Sequence, residues 1–385
     1  MYECGAVAFS RLRIAYRLRT LLKMRITGIT AVGVSIPRQS VLTTSYGGRS
    51  EFTSVIVQVE TDEGLAGVGQ VATENPFYGE TAAGVLANVR AYLAPALVGE
   101  RPFDIERLSK RMQSILPNHW SSHAGIELAL WDLKGKALGV PVYELLGGRT
   151  RDGISLMGFV RRRSPSKMAD DAASILTKMP FPILKMKVGI DVADDIICYQ
   201  AVAEAIGDRA VLQVDGNAGY TLAEAIPALT SMQRIGRLGA IEQPVARLDD
   251  LADIARRIPV PVIADEAVHP PRDALDIVRS RAASVALIKL TKHGGILNVQ
   301  KIAAILEAGG LSLSVAISGD VIAAAAAHLA AALPCVRWPS PFPDLVDSIL
   351  TRPLLPDGLL LRVPDGPGFG VTLDLDKVRK YEVHL

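Results

Sequence analysis

Cysteine is scarce in this sequence and nowhere paired. Cys4, Cys198 and Cys335 are spread over 385 positions with no CxxC or CxxxC spacing. That argues against a disulfide framework and a thiolate zinc site, and it fits a reducing, cytoplasmic setting. Long apolar runs are also lacking. The Ala-rich stretch 322–333 comes nearest; it is too short to cross a bilayer and fits a buried helix. Neither sign of charge dominates: 42 Lys and Arg stand against 40 Asp and Glu, scattered along the chain, so nucleic acid and anionic membrane are not expected partners. No glycine-rich phosphate loop, short repeat or low-complexity linker is present. What is there is an ordinary globular composition, 49% hydrophobic and 21% charged, long enough for a large core and two structural units.

Residues 1–23 stand apart. Arg11, Arg13, Arg17, Arg19 and Lys23 alternate with apolar residues, and Glu3 is the only acid. They read either as an Arg-rich targeting peptide or, the preferred reading, as an extension ahead of a domain that opens at Met24. Strand patterns follow at 26–36 and 53–60, joined by a loop around 45–50, then a turn at Glu63-Gly64 and a short strand at 66–71. Helical patterns at 78–94, 104–115 and 122–139 complete an α+β unit over 24–150.

After Gly147-Gly148 the pattern changes. Short apolar runs at 155–160, 183–188, 210–214, 240–242, 262–265, 285–290 and 312–316 alternate with helix-length segments at 194–206, 222–234, 248–257, 272–279, 296–308 and 321–333. This alternation implies a parallel α/β sheet. Seven or eight such units imply a closed (β/α) barrel over 151–344 rather than an open doubly wound sheet. The segment 345–385 carries Pro and Gly turns and is expected to fold back onto the N-terminal unit.

Barrel enzymes place their chemistry at the C-terminal ends of the strands. Here those ends carry Lys185 and Lys187, then Asp215 with Asn217, then Glu242, then Asp265 with Glu266, then Lys289. Steps from 187 to 215, 242, 265 and 289 are 28, 27, 23 and 24 residues, about one βα unit each. A single Asp at a strand end would read as a helix N-cap. Three acids in succession, flanked by lysines inside apolar strands, are costly unless paired or bound to metal. Three carboxylates without His or Cys suit a hard cation, Mg2+ or Mn2+. Such a cation can hold a substrate carboxylate while a lysine takes the proton from the adjacent carbon.

Together with the segment AGIELALWDLKGK at 124–136, Pro141 and Leu145-Leu146-Gly147-Gly148, these residues resemble the mandelate racemase and muconate-lactonizing enzyme group of the enolase superfamily. The resemblance runs from about Met24 to the C-terminus. It implies a modified TIM barrel, (β/α)7β, under an α+β cap, and enediolate chemistry that is general to the superfamily. It further implies Asp215, Glu242 and Asp265 as Mg2+ ligands, and Lys187 and Lys289 as acid/base groups on opposite faces of the substrate. Lys185 assists electrostatically, with Asn217 and Glu266 near the metal. The strand-six lysine followed by Gly294-Gly295 is similar to the muconate-lactonizing branch; His269 and His293 fit loop or structural positions.

Three departures stand out. Ser318 occupies a strand-seven position where relatives often carry an acid, and Asp320 either takes a polar role there or caps the next helix. Gln70 stands where relatives often have Glu. Asp344 and Asp347 bear a weak likeness to acids that bind a substrate ammonium.

The favoured activity is racemisation or epimerisation of a small carboxylate or N-substituted amino acid. Next come dehydration of a hydroxy acid or hydroxyproline-type substrate and muconate-type cycloisomerisation; the non-enzyme alternative is a barrel that only binds ligand. Cap segments 36–50 and 76–79 are expected to set specificity, with 118–120 a further candidate. A homo-oligomer is expected by the same resemblance.

Overall fold

The computed structural model describes residue 21, residues 23–73 and residues 79–385. The expectations for 1–20 and for most of 76–79 lie outside the described residues. The cap is an antiparallel meander of β1 (Ile26–Thr44), β2 (Gly47–Thr61) and β3 (Ala66–Ala72) with helices α1 (Ala82–Asn88), α2 (Ile105–Ile115) and α3 (Trp120–Leu138). The loop expected around 45–50 is only a two-residue turn, Ser45-Tyr46. Pro37, Gln39 and Ser40 broke the alternation that marks a strand, yet the chain stays extended and takes up the irregularity as a register shift between Pro37 and Leu42.

The barrel strands are β4 (Gly153–Val160), β5 (Ile183–Lys187), β6 (Val211–Asp215), β7 (Leu238–Glu242), β8 (Val262–Ala264), β9 (Val285–Ile288) and β10 (Ser312–Val315), parallel and hydrogen-bonded in chain order. Seven helices follow them: α4 (Pro165–Lys178), α5 (Val192–Ile206), α6 (Leu222–Ile235), α7 (Leu248–Arg257), α8 (Pro271–Ser280), α9 (Ile296–Ala308) and α10 (Asp320–Ala332). The eighth strand is split. β11 (Val336–Trp338) pairs with β10 and β12 (Ser340–Pro341) pairs with β4, which closes the ring. The architecture is therefore (β/α)7β. The C-terminal segment touches both units: β13 (Leu360–Arg362) adds antiparallel to β4, while Arg38 bridges to Leu345 and Val34 to Glu382.

α3 is buried almost all round because it lies between cap sheet and barrel. Its Glu127 carboxylate accepts the first N–H groups of α9, from Ile296 at 2.9 Å and Leu297 at 2.8 Å, and the Trp131 indole N–H at 2.7 Å. These are N–H groups that a helix start otherwise leaves unsatisfied. Gly295 makes the approach possible: its φ is +104°, and a Cβ there would fall 2.0 Å from Glu127 Oε2. A second tie runs from Gln70, buried in β3, whose Oε1 accepts Ile322 N–H at the start of α10 while its amide donates to Ser54. That gives the Gln at this position a physical role. No helix among the described residues is long and apolar enough to cross a membrane.

Candidate active site

The ladder registers set the charged groups side by side. Lys187 pairs across to Asp215, and Asp215 to Glu242; one layer deeper Lys185 pairs to Gln213. Asp265 and Lys289 follow directly on the ends of β8 and β9. Side chains two apart on a strand share a face, so Lys185 and Lys187 both enter the barrel. Lys187 Nζ donates to Asp215 Oδ2 and Asn217 Oδ1, each at 2.6 Å. Lys185 Nζ lies 2.6 Å from Glu242 Oε2 and 2.8 Å from Asp215 Oδ2. Lys289 Nζ donates to Asp265 Oδ2 at 2.5 Å. The structure thus brings together Lys185, Lys187, Asp215, Glu242, Asp265 and Lys289, all buried but Lys289, which is half-buried. Asn217 joins them to Glu266, whose Oε1 accepts its amide at 3.2 Å. Asn217, Ala218 and Gln243 hold positive φ just past the strand ends, backbone that L-residues adopt uncommonly, Asn the most readily of the three.

Lys292 was not foreseen. It is 2% exposed on the turn Leu290–His293, and its ammonium donates to Asp265 Oδ1 at 2.7 Å and to the Asp265 carbonyl. Its place three residues after Lys289, in Lys-x-x-Lys-x-Gly-Gly, was the available signal. Ser318 lines the central cavity, as do Lys185, Lys187, Asp215, Glu242 and Lys289. Asp320 corrects both of its readings. It does not line that cavity and makes no side-chain cap; its carboxylate accepts the Ser348 hydroxyl at 2.5 Å instead. Trp120, expected as a possible specificity residue, packs by its ring against Gly294 and His123 outside the cavity. His293 is buried against the His269 carbonyl, a structural place. Asp344 does reach the cavity, but its carboxylate is held by Arg161 at 2.6 Å and Arg38 at 3.4 Å; Asp347 is bound by Lys377 and Tyr381.

The electrostatics divide the acids. Burial acts to raise Asp215, but Lys185 and Lys187 outweigh it and hold its carboxyl below the usual range; Lys289 and Lys292 do the same for Asp265. Burial, reinforced by Asp215, pushes Glu242 up to about 7. Burial, reinforced by Asp265, pushes Glu266 up to about 8. Near pH 6.5 His123, His269, His293 and His328, all depressed by burial, still take up protons when the chain unfolds, but above about pH 7.5 they are neutral in both folded and unfolded chains. There the folded chain still holds protons on the two glutamates that the unfolded chain has shed. Stability in EDTA should therefore fall by about 1 kcal/mol between pH 7.5 and 9. Denaturant midpoints across this window check it: Glu266→Gln should flatten the slope, and a level or rising wild-type profile would refute it.

Among the described residues, no three His, Cys, Asp or Glu side chains stand close enough to hold an ion as they are placed, because lysine ammonium groups sit between the carboxylates. The donor set nevertheless fits a hard divalent cation. Asp215, Glu242 and Asp265 supply only oxygens, and Glu242 Oε1 is buried with no hydrogen-bond partner among the described residues, a costly arrangement that a cation would relieve.

Residues 26–147 match the mandelate racemase / muconate lactonizing enzyme N-terminal domain, and residues 167–378 match the enolase C-terminal domain-like model. The chain belongs to the mandelate racemase / muconate lactonizing enzyme family. Within it, the N-succinyl-L-Arg/Lys racemase of Bacillus cereus is 30% identical over 94% of this chain and 98% of that enzyme. The L-Ala-D/L-Glu epimerase of Bacillus subtilis is 32% identical over 90% and 95%. A crystal structure of the muconate lactonizing enzyme from Pseudomonas fluorescens, complexed with muconolactone, superposes with a TM-score of 0.89 at 28% identity, covering 94% of this chain and 100% of that one. These family members are named as isomerases of three kinds: racemase, epimerase and lactonizing enzyme.

Proposed function

We propose that the chain is a divalent-metal-dependent isomerase that takes the α-proton from a carboxylate substrate on one face and returns it on the other. The observation that carries this reading is the placement of two lysines. Lys187 ends β5 and Lys289 follows β9, four places apart in a ring of eight, so they enter one cavity from opposite sides. One removes the proton and the other, as its ammonium, delivers one to the planar carbon. Asp215, Glu242 and Asp265 would hold a Mg2+ ion, which when bound supplies positive charge to the substrate carboxylate as the α-carbon loses its proton. Asp215 and Asn217 fix the Lys187 Nζ from two directions, and Asp265 fixes that of Lys289. Lys185 sets a further positive charge beneath Asp215 and Glu242.

The rest of the wall supports one substrate class over others. Phe52, Met157, Phe159, Leu287, Ile317 and Phe342 line a cavity of about 170 Å³. Asp344, the remaining acid at this wall among the described residues, is held by two arginines. The group beside the reacting carbon is accordingly apolar rather than cationic, as in an N-acylated Leu or Phe. Incubation of such compounds with enzyme and Mg2+ in deuterated water should give α-deuterium incorporation and the opposite enantiomer, faster than for N-acyl Lys or Arg. No exchange with any carboxylate of a broad amino-acid and hydroxy-acid panel would sink the proposal. Loss of water, or a lactone, in place of the enantiomer would move the chain to the dehydratase or cycloisomerase reading, which shares the first step.

A further inference from the structure

The two oxygens of Glu242 are treated differently. Oε2 accepts from Lys185 Nζ and from Gln213 Nε2, each at 2.6 Å, while Oε1 is buried without a hydrogen-bond partner among the described residues. A glutamine amide can turn either its oxygen or its nitrogen toward a neighbour, and turned the wrong way Gln213 would set a carbonyl against a carboxylate. One residue decides the matter. Trp338, from β11 in the split eighth strand, lies with its indole Nε1 2.7 Å from Gln213 Oε1. An indole nitrogen only donates, so the far end of the amide must be the acceptor and the near end must donate to Glu242.

We infer that the Trp338–Gln213 pair is a positioning device, which fixes the carboxylate of Glu242 so that Oε2 stays with Lys185 and Oε1 is left to a divalent cation. This rests on the cation reading proposed above. Gln213 is 2% exposed and two residues before Asp215 on the same strand face, one layer below the carboxylates. Neither an amide nor an indole serves as an acid or base near neutral pH, so neither residue takes the substrate proton. Each acts through Glu242, in the way that groups hydrogen-bonded to ligands tune metal affinity elsewhere. Trp338 also packs near Ala240, Ile263, Val285 and Leu287, so the test must separate packing from orientation.

Trp338→Phe keeps an aromatic ring and removes the donor; Gln213→Met keeps the volume and removes both ends of the link. Mn2+ affinity, read by electron paramagnetic resonance of the free ion, is expected to fall about 10- to 100-fold in each. In the double variant it should fall no further than in Gln213→Met alone, because the two residues act in series. Unfolding midpoints in EDTA should fall only modestly in both single variants, as the loss of one buried hydrogen bond requires. Wild-type Mn2+ affinity in Trp338→Phe would overturn the inference, as would two independent losses that add in the double variant. A lowered midpoint with unchanged affinity would assign Trp338 to packing and overturn it too. Failure of the unaltered chain to bind Mn2+ is a separate outcome, which would overturn the cation reading and this inference with it.

Discussion

Replacing either Lys187 or Lys289 by alanine is expected to lower racemisation by at least about 10³-fold, within the range that positioned acid/base groups contribute. The two losses should not look alike under isotope exchange. With Lys187 gone, the enantiomer that presents its α-proton to Lys289 can still exchange that proton with solvent, but it cannot invert; with Lys289 gone, the other enantiomer keeps exchange. Divalent-cation affinity should survive in both, since the three carboxylates remain and Asp215 keeps its contact with Lys185 at 2.8 Å. Chiral analysis of recovered substrate, beside proton NMR of the α-position in deuterated water, gives both readouts. Full racemase activity in either variant would remove the two-base assignment.

Asp215→Ala should cost the fold about 3–5 kcal/mol as well as cation binding. Asp215 is 1% exposed, and its Oδ2 lies within 2.8 Å of the ammonium groups of both Lys185 and Lys187. Removing it leaves Lys187 with no carboxylate partner among the described ion pairs, and breaking a buried pair from one side is far more damaging than never having built it. The pH dependence has a definite sign. The folded-state value of Asp215 is held below its ordinary one, so its contribution is present above about pH 3.9 and disappears as pH falls through the lower folded value. Wild type should therefore lose its advantage over the variant on strong acidification. Equal denaturant midpoints for wild type and Asp215→Ala at pH 7 would refute the argument.

Much of this site was legible because a parallel barrel converts chain distance into position. Each βα unit consumes a similar length, so charged residues at a regular pitch arrive on one rim, and the apolar strands around Lys187, Asp215 and Glu242 made their burial readable. The eighth strand was not legible. Pro339 divides it into pieces of three and two residues, too short to show any period. Gln213 and Trp338 carried no signal either, since a lone amide in an apolar strand announces nothing until its partner arrives from 125 residues away. Asp320 misled for a related reason. A Gly-Asp before an alanine-rich helix reads as a cap, but its φ of +48° and the Ser348 hydroxyl turn the side chain toward the C-terminal segment.

The carboxylate of Glu127, planted on the first turn of α9, has a consequence for how such a molecule can change over time. A cap joined to its barrel through a buried acid and a glycine that leaves no room for a Cβ can be exchanged for another cap only if the newcomer brings the same acid to the same place. Divergence toward new substrates then proceeds more easily by residue-by-residue replacement along the rim, at positions such as Arg38, Leu42 and Thr44, while the junction made by Glu127 and Gly295 stays fixed.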